Sequence, residues 1–416
     1  MKKYTKFLPV LLIVSIMIAL LAPSFSVTQA QEEVTIEMWH FAANKEPVYQ
    51  EWIAAYAEVA PNVTIKTNVI PKDAYNQTLA AALIAGEAPA LIHGLPLGEP
   101  LELWNNEQII DLAPYMDEEW MAALYPSSID YLTIDGHVLS MSFATNNVQV
   151  FYNKDRFDEL GIEAPLETMD DMRAAVELLT ENGYGGALYW AQALDHAPTL
   201  FFNWGQMMYP EKFEAADRGD GSWDIPEFVD LMAEINSYSD LWMDGIASLS
   251  LDESVNLFAS GDASIYIIGN WAINSIVNAE PDFAIDTFPV PALNDQTWPA
   301  AFGSMAGTWM VSSQVSEAEQ QAAIDFLRWV ELNGQGDLTR AIGLCPAGPA
   351  GEEALVDAHP LAQSLCNDQA TAVPRDIFDR AARDAMASAI QGMLNGQASP
   401  EDVMNATQRA KERSQR

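Results

Sequence analysis

Apolar and polar positions alternate through Val34-Thr35-Ile36-Glu37-Met38-Trp39, the two-residue period of a half-buried strand. Pro47 then opens a stretch that sets Val48, Trp52, Ile53, Tyr56 and Val59 on one helical face, and Pro61 ends it. Alternation returns from Val63 to Ile70. A second helical stretch runs from Ala74 to Ala85 and closes on Gly86, and Ala90-Leu91-Ile92 is short and wholly apolar, as a buried strand is. Strand, helix, strand, helix, strand predicts an α/β fold built on a mostly parallel sheet with helices on its faces.

Further along, helix starts are readable from capping chemistry. Thr168 with Asp171, Ser250 with Glu253, Ser316 with Glu319 and Ser399 with Asp402 each set a hydroxyl at the cap and a carboxylate three residues on. That pairing satisfies the orphan amides of a first turn. It predicts helices over 169–182, 251–259, 317–332 and 400–413, the last with Pro400 at its first position, where a missing N–H costs nothing. Gly261 and Gly334 close the second and third of these helices. Strands are predicted at Val138–Phe143, Gln149–Tyr152, Ala187–Trp190, Ala263–Ile268, Phe283–Phe288 and Thr308–Val311. No repeat and no low-complexity tether interrupts the pattern, so two halves would be joined by short strands that cross between them.

Composition adds three constraints. Residues 1–30 carry Lys2, Lys3 and Lys6, an apolar run from Phe7 to Ala22, and Thr28-Gln29-Ala30, the pattern of a secretory leader cut after Ala30. No cysteine follows that point closely enough for a lipid anchor. The remaining chain is long for one domain and its apolar content of 49% is ample for two cores. The formal charge of -39 falls to about -42 once the three leader lysines are gone. Such a surface repels phosphate backbones and anionic lipid, which excludes nucleic acid and membrane surfaces as partners. Its acidity reads as solubility or salt adaptation, with a cation-selecting acidic site as the other reading. Cys345 and Cys366 are the two cysteines, and they read as a disulfide or as two buried thiols.

The chain carries no G-x-S-x-G elbow, H-E-x-x-H, phosphate loop or G-x-G-x-x-G after a strand, and its five histidines never fall at metal-ligand spacing. No cofactor and no metal is expected. Asp217 to Asp224 is acidic enough to hold calcium, but reads first as a solvated turn. Tryptophans instead mark strand ends: Trp39, Trp190 and Trp271, the last after Gly269-Asn270, with Trp204 further candidate material. In open α/β sheets the crevice beyond the carboxyl ends of the strands takes the ligand. An indole face beside Asn, Asp or Arg suits a pyranose, which has an apolar C–H face and a rim of hydroxyls.

Several ordered motifs carry a wider resemblance: Val34 to Trp39, Ala85-Gly86-Glu87-Ala88-Pro89, Asp135-Gly136-His137, Tyr152-Asn153-Lys154-Asp155 with Gly161, and Phe258-Ala259-Ser260-Gly261-Asp262-Ala263 with Gly269-Asn270-Trp271. Pro289-Val290-Pro291 and Asn395-Gly396-Gln397-Ala398-Ser399-Pro400-Glu401-Asp402 complete the set. Together they make the chain similar to the extracytoplasmic solute-binding proteins of sugar ABC importers, the maltose-binding type. The resemblance implies a two-lobed periplasmic-binding-protein fold (type II), each lobe a mostly parallel sheet flanked by helices, joined by a hinge. It divides the chain into residues 31–143 and 289–335 for lobe 1, and 144–288 and 336–416 for lobe 2.

It also implies a monomer that binds a mono- or oligosaccharide without catalysis, outside the inner membrane, and presents it to membrane permease subunits. Ligand contacts are implied at His40 and Lys45 in the loop after the first strand, at His93, at Asn146, at Ser304, and at Arg375 and Asp376. Asn270 and Trp271 form a corner where Gly269 lets the backbone turn and the indole becomes a platform. Two departures stand out: Ala90 occupies the place of a frequent acid, and Ala187 to Tyr209 matches no family pattern. A cationic or polyol solute, and a secreted carbohydrate hydrolase, are the competing readings.

Overall fold

The computed structural model describes residues 33–189, 191–192, 196–367, 373–374 and 377–414. The leader, Trp190, Arg375 and Asp376 lie outside the described residues. The chain begins with β1 (Val34–His40), α1 (Glu46–Val59), β2 (Val63–Val69), α2 (Lys72–Ala85), β3 (Leu91–Gly94) and α3 (Gly98–Asn105). There follow β4 (Ala144–Asn153), α4 (Met169–Glu181), β5 (Ala187–Tyr189), α5 (Thr199–Met208), α6 (Pro210–Arg218), α7 (Leu251–Ala259), β6 (Ile265–Gly269) and β7 (Ile285–Phe288). The chain then forms β8 (Phe302–Met305), β9 (Thr308–Val311), α8 (Glu317–Asn333), β10 (Cys345–Pro346), α9 (Pro360–Asn367), β11 (Val373–Pro374), α10 (Arg380–Leu394) and α11 (Pro400–Ser414).

Two main sheets result. In the first, ordered β9-β3-β1-β2, β1 lies parallel to β2 and β3, and β9 closes the edge antiparallel to β3. The second runs β11-β8-β4-β6-β5, with β7 and β10 also pairing with β4. Here one strand departs from the mostly parallel arrangement. β4 is antiparallel to β6, β7, β8 and β10, because it enters from the first lobe against the direction of its neighbours. Its near-total burial also hid its extent: the sequence reading placed a strand over 149–152 and another over 138–143, whereas one ten-residue strand runs from Ala144 to Asn153.

The capped helices form where their chemistry places them. Thr168/Asp171, Ser250/Glu253 and Ser316/Glu319 are reciprocal capping boxes, and Ser399 exchanges hydrogen bonds with Asp402 in the same way. Three apolar clusters hold the layers. The largest surrounds β4, β5 and β6 and includes Phe151, Ile267, Val290, Phe302 and Met386. The other two, built on Ile36, Trp52, Trp309 and Phe326 and on Tyr75, Leu79 and Ile92, belong to the first sheet. Val290, Leu293 and Ala300 thus pack with the second sheet, and Leu338, Ile342 and Leu344 with the first.

Where the strands cross between lobes, the backbone is fastened. β8 and β10 pair with the first residues of β4, and Cys345 of β10 is disulfide-bonded to Cys366 of α9. The bridge closes a loop of 21 positions, so replacing both cysteines with serine is expected to lower the unfolding free energy by about 3 kcal/mol. A urea midpoint that did not move would count against that contribution.

Candidate functional site

The residues that follow β1 and β3 come together as expected, but they pack inward. His40 is fully buried, with Nε2 2.8 Å from a Glu46 carboxylate oxygen. Its ring lies 6.4 Å from that of His93, which in turn stacks edge-on with Phe41 and Trp309 at 4.6 and 4.9 Å. Lys45 donates to the carbonyl of Ala306 in the turn between β8 and β9. Gly307 completes that turn at φ 81°, and any side chain there would meet His93 Nε2. Burial holds His93 well below the ordinary imidazole range, with the Lys45 charge adding to it, and pushes the Lys45 amine down to about 8. The trio thus packs within the first lobe beneath the turn between β8 and β9, with the polar atoms of His40 and Lys45 turned toward protein partners.

Two further candidates are also buried. Trp204 is 1% exposed and packs against Phe302 in the large core, because α5 turns its apolar face onto the second sheet. Asn270 is fully buried and spends its amide on the hinge: Oδ1 accepts from the Asn147 N–H, and Nδ2 donates to the Thr145 carbonyl. Ser304, also buried, sits opposite Asn146 in the β8/β4 register.

Trp39, Asn146 and Trp271 remain half-buried. Trp39 donates to Glu37 at 2.9 Å, and Asn146 to the Met305 carbonyl at 3.4 Å. The Gly269 corner works differently from the expected tight turn. Its φ of -91° is open to any residue, but the Trp271 ring lies directly over its Cα, where a Cβ would fall 1.9 Å from the indole. The glycine makes room for the ring. Trp271 touches the large core and the first lobe's core together and meets His196 edge-on at 5.7 Å.

Farther from the crossover, the two lobes flank an open cavity of about 1080 Å³. One wall comes from α2, α3 and Met310 of the first lobe; the other comes from the end of α6 and from Phe378 to Asp384, leading into α10. Several contacts join these walls. Arg218 forms an ion pair of 2.5 Å with Asp135, presented by an Asp-Gly turn in which both residues have positive φ. Its guanidinium also lies 4.3 Å from the centre of the Phe378 ring. Arg380 stands 3.8 Å from Glu99 and 3.7 Å from Glu102. A Cβ on Gly98 would come within 2.6 Å of the Phe378 carbonyl.

Burial raises the carboxyl of Glu99, opposed by Arg380, and raises that of Asp217 to about 6 although it accepts from the Phe378 and Asp379 N–H groups. The acidic stretch from Asp217 is organised by Lys411, whose ammonium donates to the carbonyls of Ala216, Gly219 and Gly221. No group of His, Cys, Asp or Glu among the described residues is arranged to hold a metal ion. The sequence reading missed Gly98, Glu99, Glu102, Phe378 and Arg380. Their one signal was position: Gly98 to Glu102 follows a strand end, and Arg380 starts a helix capped by Asp379.

Residues 42–337 match the family described as bacterial extracellular solute-binding protein. The chain belongs to this family. Related solute-binding proteins include the multiple sugar-binding protein of Streptococcus mutans, 22% identical over 309 residues that make up 70% of each chain. The sn-glycerol-3-phosphate-binding periplasmic protein of Escherichia coli is 23% identical over 343 residues, 75% of this chain and 76% of that one. In three dimensions the chain is similar to a chitin oligosaccharide binding protein, with a TM-score of 0.80 at 19% identity, covering 92% of this chain and 98% of the other. These likenesses establish the two-lobed α/β fold of the solute-binding proteins; among the described residues no helix is long and apolar enough to cross a membrane.

Proposed function

We propose that this solute-binding protein is the extracytoplasmic component of an ABC importer, that it holds an oligosaccharide between its lobes, and that it releases it unaltered to the permease. The observation that carries this reading is the cavity of about 1080 Å³ walled by both lobes, large enough for a short oligosaccharide and lined by side-chain amides, carboxylates and the Phe378 ring. The named relatives in the family, which include sugar-binding proteins, support the same solute class. The leader at 1–30 supports export, and the protein acts as a monomer.

Lobe 1 comprises 31–143 with the β9–α8 return, and lobe 2 the body built on β4. Trp271, at the meeting of the two cores and outside the lining of that cavity, is a stacking platform of a solute that reaches toward the crossover, with Trp39, Asn146, Trp190, Arg375 and Asp376 as further contacts. Binding of solute closes the lobes by shifting a population already present.

A thermal-shift screen against a carbohydrate panel tests the reading, because a solute bound only by the folded form raises the midpoint. With the responding sugar, Trp271→Ala is expected to weaken affinity roughly tenfold by calorimetry. Unchanged affinity would remove Trp271 from the ligand set. Release of labelled fragments from oligosaccharides would replace the binding reading with a hydrolase.

A further inference from the structure

Relatives in the family split on a simple property of the ligand: one is named for sugars, which are uncharged, and another for sn-glycerol-3-phosphate, an anion. The cavity's own charges bear on that choice. Its lining includes six carboxylates and two guanidinium groups. An anionic solute needs a cationic donor that is free to form charge-assisted hydrogen bonds with it.

Both candidate donors are engaged. Arg218 is paired with Asp135 at 2.5 Å and lies over the Phe378 ring. Arg380 stands within 3.8 Å of Glu99, Glu102 and Asp384 together, and Asp384 also pairs with Arg383, just outside the lining, at 2.9 Å. Even where buried Glu99 carries a proton, Glu102 and Asp384 still face the guanidinium. Asp217 and Asp379 add negative charge to the same wall, and the amides of Asn76, Asn105 and Asn106 supply neutral hydrogen-bonding partners. Hydroxyl groups can use such amides and the free edges of carboxylates; a phosphate or carboxylate meets a field of its own sign.

Building on the oligosaccharide reading, we infer that the interlobe cavity takes an uncharged saccharide and rejects anionic ones, with Glu102, Asp135 and Asp384 as the specificity-determining residues that neutralise its two arginines. The phosphate of sn-glycerol 3-phosphate, or the carboxylate of a sugar acid, would have to displace an acid from Arg218 or Arg380 and then remain among the others. Like-charge juxtaposition of that kind lowers affinity roughly a hundredfold.

The test uses the full-length mature protein and matched probes: maltotriose, xylotriose and triacetylchitotriose, each beside its aldonic acid, with sn-glycerol 3-phosphate as a compact anion. In calorimetry a neutral trisaccharide is expected to bind, and its aldonic acid to bind roughly a hundredfold more weakly or not at all. Glu102→Gln combined with Asp384→Asn leaves Arg380 with Glu99 alone, and is expected to raise the ratio of acid to neutral affinity about tenfold. An aldonic acid that matches its neutral parent on the unaltered protein overturns this inference and leaves the oligosaccharide reading standing. Binding of sn-glycerol 3-phosphate with no response to any neutral sugar overturns both.

Discussion

Gly98→Val is expected to weaken solute binding about a hundredfold. Gly98 is the first residue of α3, a position where valine is tolerated by an isolated helix terminus. What leaves no room is the other lobe: the Phe378 carbonyl would lie 2.6 Å from a new Cβ, and the Ile377 carbonyl 3.5 Å from it. The substitution is therefore a wedge against the arrangement in which Gly98 meets Phe378. A ligand that binds the closed form loses affinity by the fraction of that form removed, and about 3 kcal/mol of closed-state clash corresponds to roughly a hundredfold. Calorimetry with the sugar that binds the unaltered protein provides the measure, and small-angle scattering of the liganded variant should show a larger radius of gyration. Equal affinity in the two proteins would mean that the lobes do not need this approach in order to hold solute.

The second large effect concerns stability. Glu331 on α8 is fully buried in the first lobe, accepting from Gln335 Nε2 at 2.8 Å, and burial pushes its carboxyl up to about 8 from an ordinary 4.5. The folded state holds the proton more tightly than the unfolded chain does, so this group is neutral in both states in acid and costs the fold nothing there. As pH rises from about 5 to 8 the unfolded chain ionises first and gains the advantage. Above pH 8 the cost approaches roughly 5 kcal/mol. Glu331→Gln keeps an acceptor for Gln335 and removes the ionisation, so it should be more stable than the parent by several kcal/mol at pH 9 and little different at pH 4.5. Urea unfolding of both proteins across that range is the check; parallel pH profiles would show that Glu331 ionises in the fold without penalty.

Much of the architecture was legible where structure is decided locally. The β1-α1-β2-α2-β3 run and the four capped helices each follow from a period or a cap within a few residues, and the coordinates keep their bounds to within a residue or two. β4 was misread because it is buried on both faces and carries Asn146, Asn147 and Gln149, whose hydrogen bonds or strand register tie them to distant segments. No alternation survives in such a strand. The site was legible in part. Strand-terminal position selected Trp271, which stays half-buried between the two cores, and equally His40 and His93, which lie at strand ends and are buried in the lobe. The cavity wall from Phe378 to Asp384 meets α3 across hundreds of residues of chain, and no local pattern announces such a meeting.

The ring of Trp271 rests on the hydrophobic interiors of both halves at once. Any separation of the halves must hydrate one side of that indole, so the molecule carries its own optical gauge. The difference in emission between the parent and a Trp271→Phe version, followed by stopped flow, would report the opening and shutting of the protein in real time without any attached dye.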